Sequence, residues 1–224
     1  MPYLGGGGSE DDESLLWDLV FQPPQRVAVW PYAMPPSKIP DTMRWIKRAL
    51  SKRGDFEVEI GETAPDFGLA RADVLAIPGG NTFDLLAWVQ QNDLEQSVKD
   101  FLARGGKVYG GSAGAILLGA DIAICDVETG GLDVNKIGLK DTRSLNLLSG
   151  AVVFPHYDPV DAAYVFTCQK WADENHVVVV AIPEKSGVAV DGETGYLNTG
   201  PEDVVLFKPQ QEPVACGAGH RFLL

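Results

Sequence analysis

Short apolar runs alternate along most of the chain with segments in which apolar residues recur at helical spacing. Such runs, rich in β-branched residues, are typical of strands that are buried on both faces of a sheet. The predicted strands are Arg26–Trp30, Phe56–Ile60, Val74–Pro78, Lys107–Tyr109, Ala151–Phe154 and Val177–Ile182. The predicted helices run from Asp41 to Gly54, from a cap at Asn81-Thr82, over Asn92–Arg104, and from about Pro159 to Asn175.

After Pro183 the pattern changes to short strands separated by turns. Gly187–Val190, Tyr196–Asn198 and Val204–Phe207 are predicted as antiparallel hairpin strands, with a turn over 191–195. Strands that alternate with helices predict a parallel sheet. We therefore predict an α/β fold, with residues 1–224 as a single domain. Its doubly wound, mostly parallel sheet carries helices on both faces and a β-hairpin-rich C-terminal edge.

The charge balance narrows the possible partners. The 224 residues carry a net charge of −13, from 31 acidic and 18 basic side chains. Nucleic acids and anionic membranes attract basic surfaces, so neither is an expected partner. No apolar run approaches the roughly 20 residues of a membrane span, and residues 1–13 do not resemble a signal peptide. We expect a monomer or a homodimer.

The cysteines bear on the compartment and on metal binding. Cys125, Cys168 and Cys216 are widely spaced and odd in number, which fits neither a disulfide framework nor a zinc pattern. We therefore predict a cytoplasmic protein without a metal or cofactor.

The clearest chemical motif is the G-x-S-x-G sequence of residues 110–114. It follows a predicted strand and precedes the helix-forming residues 115–118. A nucleophilic serine needs this layout because its hydroxyl must project from a sharp turn between small neighbours. The alternative is a tight glycine turn that happens to contain a serine. In this context we predict that Ser112 is a nucleophile and that the Ala113 N–H faces an oxyanion.

A serine nucleophile requires a base, and the chain has three histidines. His176 lies at the end of a predicted helix and is expected to be structural. His220 lies in the C-terminal tail. His156 lies just past the carboxyl end of a predicted strand, where open α/β sheets place functional groups, so we predict that it is the base.

Two more candidates follow predicted strands in the same way. Glu184 could orient His156, although a solvated loop carboxylate is an equally simple interpretation. Gly80 could offer a second N–H to an oxyanion. The carboxyl ends of four parallel strands are therefore expected to bring Ser112, His156, Glu184 and Gly80 to one edge of one sheet.

Five segments of the chain carry a family resemblance: residues 78–83, 110–115, 155–157, 182–184 and 218–222. They resemble peptidase E, the α-aspartyl dipeptidase family, whose fold is similar to that of class I glutamine amidotransferases. The resemblance implies a serine peptidase with Ser112 as nucleophile, His156 as base and Glu184 as third member. It also implies an oxyanion hole at Gly80 and Ala113, and a structural C-terminal tail.

The expected substrate is a short peptide, with Asn81, Asp126 and Tyr157 as candidate substrate-binding residues. The family carries an arginine after its catalytic histidine that helps to hold the substrate aspartate. This chain has no arginine between Arg143 and Arg221, and acidic residues follow His156 instead. We therefore predict that it is not a strict aspartyl dipeptidase. If Glu184 is not the third member, Asp126 or Glu128 is next.

Two other functions remain open at this point. An α/β-hydrolase-type esterase would use Ser112, an acid such as Asp191, and His220. A non-catalytic relative would retain the fold to bind a ligand or partner.

The N-terminal Gly5–Gly8 run is predicted to be a βα turn. The acidic residues 10–13 that follow would repel a phosphate, so we predict a favourable, solvated first helical turn.

Overall fold

The computed structural model describes residues 1–61, 68–191 and 195–224. The predicted hairpin turn over 191–195 therefore lies largely outside the described residues. The strands are β1 (Pro2–Gly5), β2 (Gln25–Val29), β3 (Phe56–Ile60), β4 (Val74–Ile77), β5 (Lys107–Gly111), β6 (Val152–Pro155), β7 (Val179–Ile182), β8 (Gly187–Asp191), β9 (Gly195–Asn198), β10 (Val204–Phe207), β11 (Val214–Cys216) and β12 (Arg221–Phe222). The helices are α1 (Ser14–Val20), α2 (Ile39–Ser51), α3 (Thr82–Gln91), α4 (Glu95–Ala103), α5 (Ala113–Leu118) and α6 (Ala162–Asn175).

The strands form two sheets. The large sheet has the order β12-β9-β8-β1-β5-β4-β2-β3, with β1 to β5 mutually parallel and β8, β9 and β12 added in antiparallel fashion. The small sheet has the order β11-β10-β7-β6. The predicted α/β class, the mostly parallel pairing and the hairpin edge are confirmed. The hairpin strand Val204–Phe207, however, belongs to the small sheet, where it pairs with β7.

Helices cover both faces of the large sheet, as predicted. Apolar residues of α1 and α2, including Trp17 and Ile46, pack in one core cluster, and α3, α4 and α5 contribute to the other. Helix α6 packs on the small sheet through Cys168 and Ala172. Helix α5 contacts both β5 and β6, so it joins the two sheets.

The ends of the chain are tied into the large sheet. β1 lies in its middle, between β5 and β8. The C-terminal strand β12 pairs with β9, and Phe222 stacks on Tyr196, so the tail implied to be structural is part of the sheet. No helix in the described ranges is long and apolar enough to span a bilayer.

Candidate active site

Ser112 lies on a sharp turn between β5 and α5. Its backbone has φ 52° and ψ −114°, a positive-φ conformation that an L-residue adopts at a cost of roughly 1–3 kcal/mol. The flanking glycines make the turn sterically possible. A Cβ at Gly110 would lie 2.4 Å from the carbonyl oxygen of Gly114, and one at Gly114 would lie 2.0 Å from that of Ile77. The geometry is that of a nucleophile elbow.

Three side chains form a continuous hydrogen-bonded chain at this turn. Ser112 Oγ lies 2.8 Å from His156 Nε2, and His156 Nδ1 lies 2.8 Å from Glu184 Oε1. The imidazole is largely shielded, with 27% of its side chain exposed, whereas Glu184 is 61% exposed. The three residues therefore meet as the sequence predicts, although their catalytic roles stay predictions.

The expectation that all four strands belong to one sheet is wrong. β4 and β5, which precede Gly80 and Ser112, lie in the large sheet, whereas β6 and β7, which precede His156 and Glu184, lie in the small one. Open α/β sheets place functional groups just past the carboxyl ends of their strands, and this still holds within each of the two sheets, since each residue follows the carboxyl end of its own strand. The two sheets deliver these ends to the same place because α5 packs between them.

The turn after β4 lies directly beside the serine. A Cβ at Gly79 would lie 3.4 Å from Ser112 Oγ, and Gly80 adopts a φ of 141° that a side chain would oppose. Within the described ranges, neither the Gly80 nor the Ala113 N–H donates to a protein acceptor. Both donors are free for an oxyanion, which is what the predicted oxyanion hole requires.

The three predicted substrate-binding residues have different surroundings. Asn81 caps α3 by accepting from the Asp84 N–H, and its side-chain amide donates to the Val134 carbonyl. Asp126 caps a short 3₁₀ helix through the Glu128 N–H. The capping role of Asn81 agrees with the predicted helix cap, whereas that of Asp126 was not predicted. Tyr157 is buried next to the histidine, and burial raises the pKa of its phenol to about 12.

A cavity of about 900 Å³ borders His156 and Glu184. Its walls include Tyr157, Tyr164, Leu132 and Val205. The other charged residues that line it are Asp158, Asp161, Lys185, Glu202 and Asp203. Together with Glu184, the described lining therefore carries five carboxylates and one lysine, a set that favours cationic over anionic ligands.

The other two histidines lie away from the serine hydroxyl. His176 caps the C-terminus of α6 with φ 54°, which agrees with the predicted structural role. His220 is exposed beside the edge strand β12. Because Ser112 Oγ is hydrogen-bonded to His156, the geometry does not support the esterase alternative, in which His220 would be the base. Among the described residues, no cluster of His, Cys, Asp or Glu has the geometry of a metal site.

The Gly5–Gly8 run, here called the glycine loop, connects β1 to α1 as predicted. The prediction of a solvated acidic turn is wrong for two of its residues, because Glu10 and Glu13 are 5% and 2% exposed. Glu10 accepts hydrogen bonds from Trp45 and Lys52. Glu13 binds the glycine loop itself. No local sequence signal distinguishes these two glutamates from their solvated neighbours.

Comparison with known proteins places the chain among peptidases. The model of Peptidase family S51 matches residues 14–197. Peptidase E of Salmonella arizonae is 28% identical over 163 residues, which cover 71% of this chain and 69% of the relative. Peptidase E of Salmonella typhi is 29% identical over 161 residues, with 70% and 69% covered.

Two solved structures share the fold. A putative peptidase E from Listeria monocytogenes superposes with a TM-score of 0.71 at 21% identity, covering 89% of this chain and 97% of the other. A peptidase from an acI-B1 Actinobacterium has the same TM-score of 0.71 at 16% identity, with 100% and 96% covered.

Proposed function

This chain belongs to peptidase family S51, and on that premise we propose that it is a serine peptidase that hydrolyses short peptides through Ser112, His156 and Glu184. The observation that carries the proposal is the unbroken hydrogen-bonded chain from Ser112 Oγ through the imidazole to Glu184, with 2.8 Å at each step. This is the arrangement in which a histidine accepts a serine proton while a carboxylate fixes its tautomer.

The first half of the reaction forms an acyl-enzyme. Ser112 Oγ attacks the scissile carbonyl carbon and its proton passes to His156 Nε2, while Glu184 stabilises the imidazolium. The carbonyl oxygen becomes an oxyanion that accepts hydrogen bonds from the Gly80 and Ala113 N–H groups. When the tetrahedral intermediate collapses, the C–N bond breaks and His156 gives its proton to the leaving amine.

The second half releases the acyl group. Water takes the place of the amine, His156 Nε2 accepts a proton from it, and the hydroxide adds to the ester carbonyl. Collapse breaks the bond to Ser112 Oγ, which recovers its proton from the imidazolium. The backbone conformation of Ser112 supports this cycle because it holds the hydroxyl at the surface of the turn in both halves.

The test of this proposal is covalent labelling with a fluorophosphonate probe. We expect one adduct per chain, on Ser112, when labelled protein is digested and mapped by mass spectrometry. Formation of the adduct requires an activated serine beside an oxyanion site, so a non-catalytic relative would not give it. An unlabelled chain, or an adduct on another serine, would contradict the proposed function.

We also propose that the peptidase does not require an aspartate in its substrate. A substrate carboxylate in the cavity beside His156 would face five carboxylates, and like charges placed together oppose binding. Two cations elsewhere in the chain, Arg143 and Lys170, could in principle turn towards a substrate carboxylate, but each has an acidic neighbour of its own. Arg143 pairs with Asp141, and Lys170 Nζ lies 3.9 Å from Glu174 Oε1. Lys185 is the one cation among the described residues of the lining.

For this second proposal, we expect kcat/KM for Asp-X dipeptides to exceed that for Ala-X and Leu-X by less than about 100-fold, the factor given by roughly 2.7 kcal/mol. Lys185→Met is the matched variant, since it removes the cation of the cavity and keeps a long side chain. A larger preference for Asp-X that disappears in Lys185→Met would assign the preference to Lys185. A larger preference that persists would contradict our interpretation of the cavity altogether.

A further inference from the structure

The glycine loop contacts all three members of the proposed triad. The Gly5 carbonyl accepts the Ser112 N–H at 3.4 Å, and the Gly6 carbonyl accepts the His156 N–H at 2.7 Å. A Cβ at Gly7 would lie 2.2–2.8 Å from three atoms of the imidazole ring, and one at Gly8 would lie 2.2 Å from the Glu184 carbonyl oxygen. The loop is therefore in van der Waals contact with the face of the base.

One side chain holds this loop in place. Glu13 Oε1 accepts the N–H groups of Gly7 and Gly8 at 2.9 and 3.2 Å. Its other oxygen, Oε2, accepts the Tyr109 hydroxyl at 2.8 Å, and Tyr109 in turn accepts the Trp17 indole N–H at 3.3 Å. A carboxylate is thus fixed to β5 on one side and to the glycine loop on the other.

Within the part of the chain that the structure describes, no counter-charge accompanies this carboxylate. Glu13 is 2% exposed, and among the described residues no lysine or arginine forms an ion pair with it. The titratable side chain in direct contact with Glu13 is Tyr109, whose phenol also feels the negative charge of Glu10. His156 and Glu184 lie on the opposite side of the glycine loop. Every ligand of the carboxylate is therefore a neutral donor.

We propose that Glu13 is a positioning residue of the active site, which acts by fixing the glycine loop against the imidazole of His156. This proposal builds on the proposed function, since it assigns the residue that keeps the base oriented. It explains why a glutamate is buried in a place where an apolar residue would be cheaper to bury. It also explains the glycines, because only bare backbone fits between Glu13 and the imidazole.

The protonation state of Glu13 gives the proposal a pH signature. Burial raises the pKa of Glu13 from 4.5 to about 7, although the hydrogen bonds that it accepts oppose this shift. The folded chain therefore binds this proton more tightly than the unfolded chain, and the stability so gained is full below pH 4.5 and is lost as the pH rises through about 7. Protonation of Glu13 places a hydrogen on a carboxyl group that already accepts three hydrogen bonds. We therefore expect Glu13 to hold the glycine loop best when it is ionised, above about pH 7.

The test is the rate at which the fluorophosphonate labels Ser112, measured from pH 6 to 9. Glu13→Gln keeps the size of the side chain and one acceptor oxygen but cannot ionise and brings an extra donor towards Tyr109. We expect labelling to slow by about 10- to 100-fold at pH 8, since small displacements of a reacting group cost up to about 100-fold. The fluorophosphonate concentration that gives half of the maximal labelling rate should change little. The change in labelling rate near pH 7 that the ionisation of Glu13 causes in the wild-type chain should be absent from the variant.

Glu10→Gln is the matched control. Glu10 is buried to a similar degree in the same segment, but it bonds to Trp45 and Lys52 instead of the glycine loop. We expect it to change stability and to leave the labelling rate unchanged. If Glu13→Gln does not fold, Gly7→Ala tests the same contact from the other side, because its Cβ would displace the imidazole. It should slow labelling at least as much.

NMR makes this proposal independent of the proposed function. In a Ser112→Ala background, Glu13→Gln should shift the ring resonances of His156 and leave those of His176 and His220 in place. A wild-type chain that is not labelled contradicts the proposed function, and the His156 resonances still decide the role of Glu13. Labelling at the wild-type rate together with unshifted His156 resonances would overturn the positioning role.

Discussion

Replacing His156 with alanine is expected to lower kcat for peptide hydrolysis by about 10⁶-fold, the loss measured when the base of a serine peptidase is removed. The reason lies in the 2.8 Å contact between Ser112 Oγ and His156 Nε2, because without it no group accepts the serine proton during attack. KM should change little, since the imidazole acts mainly in the transition state. The measurement is steady-state hydrolysis of the best dipeptide from a library.

His220→Ala is the control for this substitution. His220 is exposed on the tail, so its loss should leave kcat unchanged. The pair separates the proposed peptidase from the esterase alternative, in which the bases would exchange roles. A large loss in His220→Ala with activity retained in His156→Ala would reject the arrangement proposed here.

Replacing Glu184 with glutamine should lower kcat by roughly 10²- to 10⁴-fold, the upper end being the cost of neutralising the buried aspartate of a serine peptidase triad. Glutamine can donate a hydrogen bond to His156 Nδ1, which would stabilise the wrong tautomer and leave the imidazolium without its counter-charge. Because 61% of the Glu184 side chain is exposed, water screens part of this effect, and we expect the lower half of the range.

The matched control is Glu202→Gln, which neutralises another carboxylate of the same cavity. It changes the charge of the cavity equally but lies outside the hydrogen-bonded chain, so kcat should fall by much less. Equal losses of kcat in the two variants would mean that Glu184 acts only through its negative charge in the cavity and not through its hydrogen bond to His156. An unchanged kcat in Glu184→Gln would move the third role to another residue, with Asp126 or Glu128 as the next candidate.

The elements that position the site could be predicted because they depend on local pattern. Strands β4, β6 and β7 are short apolar runs, and a candidate site residue lies just past the carboxyl end of each, where open α/β sheets place functional groups. The elbow at Ser112 is marked by glycines whose backbone has no room for a side chain. Asn81 is a helix cap that the sequence also identified. These signals all lie within a few residues of the feature that they predict.

The parts that could not be predicted depend on contacts between distant segments. Whether β6 continues the large sheet or begins another depends on which strand edge is free once the chain has folded, and the apolar pattern of β6 is the same in both cases. The burial of Glu13 depends on Tyr109, 96 residues further along the chain. A run of acidic residues is usually solvated, and nothing local marks the two that are not.

The division of the proposed triad between two sheets affects how the protein loses function. Ser112 and Gly80 belong to one sheet and His156 and Glu184 to the other, and α5 packs at the boundary. Sub-global opening in proteins tends to follow such supersecondary units. An opening along this boundary would separate nucleophile from base while each sheet keeps its own hydrogen bonds. Turnover would then report on the docking of the two halves, and inactivation by heat or denaturant would precede the loss of secondary structure.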